Sequence, residues 1–284
     1  EKVAAGDRVC FYLSNETFAG FGGRTGAESG DASGVSLTEA AKAPKRLPQY
    51  REAYRTLGQR GAGIVVFENE HILLAHKQPG VLSQKAAPED LSMNEWFVGY
   101  LLEKGEVTAR SLQEFTPSVS NRLDRNTGGL LLCAKTLQGS RALSALQRDR
   151  RMRKFYLALV QGVIREGGEL AGFLTKDRAS NYVTASSVQG EGAWPVRTLY
   201  RPVRTGRTAT LLECELVTGK THQLRAQLSD AGHPIAGDPK YGNAEWNAAL
   251  LLSHAVRGQL LYACRLEFPQ MEGVLAPLSG RRFQ

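Results

Sequence analysis

Cysteine is scarce in this 284-residue sequence: there are 4, at Cys10, Cys133, Cys214 and Cys264. No two stand at the Cys-x-x-Cys spacing of a zinc knuckle or a redox couple. Cys133 and Cys214 lie in apolar runs, which predicts buried, reduced thiols and the reducing cytoplasm rather than a disulfide framework. The 5 histidines are scattered, so no metal is expected. Long apolar runs are also missing. No stretch approaches the roughly 20 residues that span a bilayer, and the first residues lack the basic-then-apolar plan of a signal peptide. A soluble, cytoplasmic protein without a membrane partner is expected. The sequence opens on Glu1, not Met, which leaves a preceding segment open. The Gly-rich stretch is not followed by the Lys-Ser or Lys-Thr of a phosphate-binding loop, so no nucleotide cofactor is implied.

What is present is an ordinary globular composition, 42% apolar and 23% charged, with a net charge of +8. The length suits one large domain, or one domain with a small appendage. The basic excess begins after residue 50, and its densest cluster is Gln147-Arg-Asp-Arg-Arg-Met-Arg-Lys154. Such a cluster suits a polyanion, because phosphate contacts release counterions. It suits equally a solvated helix end, with arginines near the C-terminal dipole.

Residues 5–13 alternate as a strand does, and residues 20–45 turn to Gly, Ala, Ser and Thr, the composition of a linker. A short basic helix is predicted over 46–60, and the compact domain is expected from about residue 61. Ile64–Phe67 and Ile72–Ala75 read as a hairpin. Residues 89–103 read as an amphipathic helix capped by Asp90 or Ser92. Further strands are predicted at 129–134, 155–160, 211–217 and 260–268, with helices at 138–147 and 221–230. Strands outnumber helices without strict alternation, which predicts an α+β fold with a mixed, largely antiparallel sheet flanked by helices.

The stretch most suggestive of chemistry is Asn121-Arg-Leu-Asp-Arg-Asn-Thr-Gly-Gly-Leu130. Asp124 sits between Arg122 and Arg125, before a Gly-Gly turn. Neighbouring guanidinium groups favour an ionised carboxylate, as a nucleophile or base requires. On its own the pattern also fits a turn aspartate among surface arginines.

This segment closely resembles the signature of the RluA-type pseudouridine synthases. Lys154-Phe-Tyr-Leu-Ala-Leu-Val-Gln-Gly162, Thr218-Gly-Lys-Thr-His-Gln-Leu-Arg225 and Gly232-His-Pro-Ile-Ala-Gly-Asp-Pro-Lys-Tyr-Gly242 resemble further family motifs, in the family's order. Ile72–Gly80 resembles the opening of its catalytic domain, so the likeness covers about residues 63–270. Residues 5–18 resemble the tail of an S4-type RNA-binding domain. The resemblance thus divides the chain into an S4-like tail at 1–20, a linker with a short basic helix at 21–60, and a catalytic domain at 61–284.

The resemblance implies an RNA pseudouridine synthase, an isomerase acting on uridines of large-subunit (23S-type) ribosomal RNA without a cofactor. Asp124 matches the catalytic aspartate, Tyr156 the active-site tyrosine and Arg225 the basic partner of the aspartate. Arg122, Arg125, Lys154, Lys220 and His222 are the expected RNA contacts, Arg122 in the space vacated by a flipped nucleotide. Asn121, Gly128 and Lys220 depart from the His, Ser and Arg common in the family. The expected partner is RNA alone, with the protein a monomer. The competing expectation is a non-catalytic RNA-binding or ribosome-assembly factor on the same fold.

Overall fold

The computed structural model describes residues 46–61, 63–177 and 179–284. The strand at 5–13, the S4-like tail and the linker at 20–45 lie outside the described residues. Helix α1 (Leu47–Gln59) leads into β1 (Ile64–Glu68) and β2 (Ile72–Lys77), then α2 (Met93–Glu103), the short α3 (Ser111–Glu114), β3 (Ser118–Val119) and β4 (Gly128–Ala134). Helix α4 (Leu137–Arg148) and a run of strands follow: β5 (Arg153–Gln161), β6 (Gly168–Asp177), β7 (Tyr182–Ser186), β8 (Trp194–Thr205) and β9 (Ala209–Leu216). Then come α5 (Gln223–Asp230), α6 (Ala244–His254), β10 (Leu261–Glu267), a 3-10 turn (Gly273–Leu278) and β11 (Arg282–Phe283).

The strands form one sheet in the order β1-β2-β4-β10-β5-β9-β8-β6-β7, with β3 on β4 and β11 on β10. Among the named strands of the described residues, only β4 and β10 pair in parallel, so the sheet is mixed and largely antiparallel. Every residue of β4 is buried, as an apolar strand flanked on both edges and covered on both faces must be. β5 alternates: Tyr156, Ala158 and Val160 join the core that lies under α2 and α5, while Phe155 points to the other face.

Local chemistry sets the helix starts. Ser92 is extended (φ −139°), accepts from the Asn94 amide as an N-cap does, and donates its hydroxyl to the Glu95 carboxylate. Asp90, the other candidate cap, instead accepts from the amides of Ala86 and Ala87 in the preceding turn. The helix assigned to the linker at 46–60 buries Tyr50, Ala53 and Leu57. It approaches α2 so closely that a methyl group on Gly99 would lie 2.2 Å from the Tyr50 carbonyl. This helix therefore packs with residues 61–284 rather than standing apart. Cys133, Cys214 and Cys264 are free and buried, and burial pushes the Cys214 thiol up to about 12. Among the described residues no helix is long and apolar enough to cross a membrane.

Three strands, β6 to β8, and helix α6 had no counterpart in the sequence reading. β8 carries Pro195 and Pro202, and its register slips between Pro202 and Arg204. Proline lacks a ladder donor and is tolerated at such irregularities. Helix α6 buries none of its residues and exposes Leu251 and Leu252, so no apolar stripe marked it.

Gly129 is the tightest point of the parallel seam. Its φ is +114°, and an added Cβ would lie 2.2 Å from the Ala263 carbonyl oxygen. Gly129→Ala is expected to lower unfolding stability by roughly 3 kcal/mol or more. Gly105→Ala, with φ +73° but open space around it, should cost only the left-handed backbone penalty of about 1–2 kcal/mol. Urea midpoints of the two variants check the ranking.

Candidate active site

The loop between β3 and β4 carries Asp124 and is fastened at four places. The Ser83 hydroxyl donates to the Leu123 carbonyl (2.9 Å) and accepts from its amide (3.0 Å). Asn121 Oδ1 accepts from the Leu132 amide at 2.7 Å. Gln259, just before β10, donates to the Thr127 hydroxyl at 2.7 Å. From below, the Arg125 carbonyl accepts from the Gly80 amide (2.9 Å) and from the Lys77 ammonium (2.9 Å).

Lys77 is fully buried and also donates to the carbonyls of Val81 (2.7 Å) and Gln78 (3.1 Å). Burial pulls its pKa down to about 7, and the Asp124 charge works against that pull. In the sequence, Lys77 is merely one residue of the Ile72–Gly80 motif. A lysine with all three N–H groups on backbone carbonyls makes it a rigid footing for the loop above.

Asp124 faces Arg225, which α5 presents from a helix buried on nearly every side. Arg225 Nη1 donates to Asp124 Oδ2 at 2.9 Å. The rest of the guanidinium is held by Asp238: Nε donates to Oδ2 at 2.7 Å and Nη2 to Oδ1 at 2.9 Å. Asp238 is only 1% exposed and also accepts from the amides of Lys240 and Tyr241. Burial tends to raise its pKa, but the Arg225 hydrogen bonds and charge with the two amides hold it below the usual carboxylate value. Burial likewise opposes the charge on Arg225, and the two aspartates more than restore it.

His222 precedes α5 in the left-handed conformation (φ 54°). The Tyr241 hydroxyl accepts from the Val183 amide and lies 2.9 Å from His222 Nδ1. The other ring nitrogen, Nε2, lies 3.9 Å from Asp124 Oδ2. Burial lowers the His222 pKa, with Asp124 opposing, so the ring is neutral near pH 7.

Tyr156 is 7% exposed beneath Asp124. Burial, then the Asp124 charge, push its phenol well above the ordinary value, so it stays protonated at neutral pH.

These groups line a cleft of about 340 Å³. Of the residues singled out in the sequence, Asp124, Tyr156, Arg225, Arg122, Lys154, Lys220 and His222 all reach it; Arg125 does not, and its side chain is exposed elsewhere. Asp124 is the only carboxylate among the described residues that line the cleft, where it meets Arg122, Lys154, Lys220 and Arg225. Lys154 has its pKa lowered by burial and by Arg150. The basic run 148–154 is split by the fold. Arg153 is bound to Glu215 and Glu267 on the opposite face of the sheet from Tyr156, and Arg151 donates to the Gln270 carbonyl. Only Lys154 of that run lines the cleft.

Asp238, Tyr241 and Lys77 were not singled out in the sequence, although all three lie inside quoted motifs. Among the described residues no cluster of three His, Cys, Asp or Glu is placed to hold a metal ion.

Removing one member of a buried charge pair leaves the other uncompensated. Asp238→Ala should therefore destabilise the protein by about 3–5 kcal/mol. Because the folded pKa of Asp238 is depressed, its contribution is present above the ordinary value of 3.8 and is lost as pH falls through the folded value. Denaturation curves at several pH values below 5 should show a steeper acid loss in wild type than in Asp238→Ala.

Residues 71–230 match the family described as RNA pseudouridylate synthase. The chain is 33% identical over 224 residues to ribosomal large subunit pseudouridine synthase D of Zymomonas mobilis, covering 77% of this chain and 66% of the relative. It is 31% identical over 231 residues to ribosomal large subunit pseudouridine synthase C of Escherichia coli, covering 75% and 68%. An uncharacterized RNA pseudouridine synthase of Chloroflexus aurantiacus is 40% identical over 168 residues, 59% of this chain and 48% of that protein. The chain spans about half to two thirds of the length of these relatives. Among solved structures, human RNA Pseudouridylate Synthase Domain Containing 4 superposes with a TM-score of 0.59 at 18% identity, covering 78% of this chain and 88% of that one. The family match across the loop of Asp124 and the helix of Arg225, with the shared fold, places this chain in the RNA pseudouridylate synthase family.

Proposed function

We propose that this protein isomerises uridine to pseudouridine in large-subunit ribosomal RNA, with Asp124 as the essential group. The observation that carries the reading is a single carboxylate in a cleft otherwise rich in cations. Glycoside hydrolysis ordinarily needs two carboxylates, one to protonate the leaving group and one to activate water. Uridine isomerisation needs less. The N1–C1′ bond breaks, uracil departs as a stabilised anion, the base turns, and C5 bonds to C1′. The C5 proton then leaves and N1 gains one.

Attack of Asp124 at C1′, attack at C6 and removal of the C2′ proton all require an ionised oxygen free of its own partner. Arg225 binds Oδ2, and Oδ1 has no hydrogen-bond partner among the described residues. Tyr156, protonated at neutral pH, offers the base a ring face and a hydroxyl donor rather than a phenolate. His222 Nε2 lies 3.9 Å from the same carboxylate oxygen. A stacked uridine cannot reach this cleft, so the nucleotide is flipped out of its helix, and Arg122, Lys154 and Lys220 are placed to hold its phosphates. The printed names of the Zymomonas and Escherichia relatives support large-subunit ribosomal RNA as the substrate. The protein works as a cytoplasmic monomer, with RNA as its partner and no cofactor.

Tritium release from RNA labelled at uridine C5 tests the chemistry. Wild type should release tritium from ribosomal RNA of cells lacking the enzyme, and Asp124→Asn should lose a factor on the order of 10⁴. Salt-sensitive RNA binding without release by wild type would leave the non-catalytic binder as the function. Binding measured against salt tests the phosphate contacts. Lys154→Gln and Arg122→Gln should each reduce the log–log slope by about 0.7–0.9, whereas Arg153→Gln, already paired with two glutamates, should leave it unchanged.

A further inference from the structure

Strand β8 begins with Trp194, whose indole is 41% exposed. The residues two and four positions on, Val196 and Thr198, are buried, and Thr198 donates to Gln227 of α5. By strand alternation Trp194 shares their face of the sheet, so the indole stands where that face emerges from beneath the helix. Its register partner in the β6–β8 pairing, Leu174, is fully buried.

The exposed ring is next to the cleft. Lys220, a cleft-lining residue, holds its ammonium 5.2 Å from the centre of the indole. Among the described residues that ammonium has no carboxylate partner. Its neighbour Gly219 presents no side chain toward the cleft, and a Cβ there would lie 3.1 Å from the Lys154 ammonium. A flat aromatic face, an uncompensated cation and a second lysine thus follow one another along one wall. Aromatic rings next to cations are how proteins hold unpaired nucleotides, the base stacking on the ring and the phosphate meeting the charge.

We propose that Trp194 and Lys220 form a second nucleotide subsite at the rim of the cleft. An unpaired base neighbouring the flipped uridine stacks on the indole, and its phosphate meets the Lys220 ammonium. The subsite rests on the reading of the protein as an RNA-modifying enzyme and adds where the strand runs on leaving the Asp124 pocket. It explains why a large aromatic residue stays half in solvent at a strand start, where burial would be the more stable arrangement. It also gives sequence-tolerant grip, since every base has a face to stack.

The test is fluorescence anisotropy of an end-labelled hexauridylate, run beside an abasic hexamer of the same length. Trp194→Leu keeps an apolar side chain at the register position opposite Leu174 but removes the aromatic face, and Trp194→Phe keeps both. Trp194→Leu should weaken hexauridylate binding about tenfold, and Trp194→Phe should stay within about threefold of wild type. The abasic hexamer should bind all three proteins alike. Hexauridylate binding by Trp194→Leu within twofold of wild type, or an equal loss with the abasic hexamer, overturns the subsite. Tritium release by wild type separates the two ideas. Base-dependent binding through Trp194 without release retains the subsite and ends the isomerase reading; release with no Trp194 effect does the reverse.

Discussion

One guanidinium shared by two carboxylates is the constraint around which the cleft is arranged. Arg225 gives two of its donors to the deeply buried Asp238 and the third to Asp124, whose side chain is 26% exposed. The inner aspartate is spent on orientation, with every strong donor around it satisfied, while the outer one keeps an oxygen for whatever enters. The planar fork makes this division possible, because three N–H vectors at fixed angles define the position of both acids; an ammonium would fix neither. The β3–β4 loop must converge with α5 and the loop that follows it, about a hundred residues later, for any of the three charges to be stable in low dielectric.

The rest of the protein's charge is sorted by face. On the side of the sheet away from Tyr156, Arg153, Arg201 and Arg265 interleave with Glu213, Glu215 and Glu267 across β5, β8, β9 and β10, and Arg265 lies over the Phe155 ring. On the cleft side, Arg122, Lys154 and Lys220 are left without acids among the described residues. The net charge of +8 is therefore spent unequally: cations behind the sheet support the strands, and those in front remain available to an anion.

The central part of this arrangement was legible in the sequence because its signals are local. Strands such as Gly128–Ala134 and Arg153–Gln161 announce themselves by apolar runs, and Ser92, one of the two candidate caps, marks a helix start. The Asp124, Tyr156 and Arg225 segments were found through ordered motifs rather than through any property of the three residues alone. What could not be read depends on distance. Asp238 and Tyr241 look like loop residues until the fold sets them beneath Arg225 and His222, and Lys77 looks like a surface lysine until three carbonyls close on it. β6, β7 and β8 are polar and largely exposed, so neither alternation nor apolar content distinguished them. Arg153 and Lys154, neighbours in one basic run, point to opposite faces of a strand and have opposite fates.

The lone parallel seam joins Gly128 and Gly129 to Tyr262 and Ala263, more than a hundred residues later, and Gln259 from the same late segment clasps Thr127. A parallel neighbour cannot be reached by a tight turn, and closing so long a loop is slow compared with forming the intervening hairpins. On the ribosome the chain emerges in order, so β4, which pairs with β2 and β3, gains β10 only after β5 to β9 have been made. A nascent or C-terminally clipped chain can possess Asp124, Tyr156 and Arg225 and still lack the strand that sets the aspartate loop at its proper height. The height of the aspartate loop is thus tied to a segment more than a hundred residues downstream.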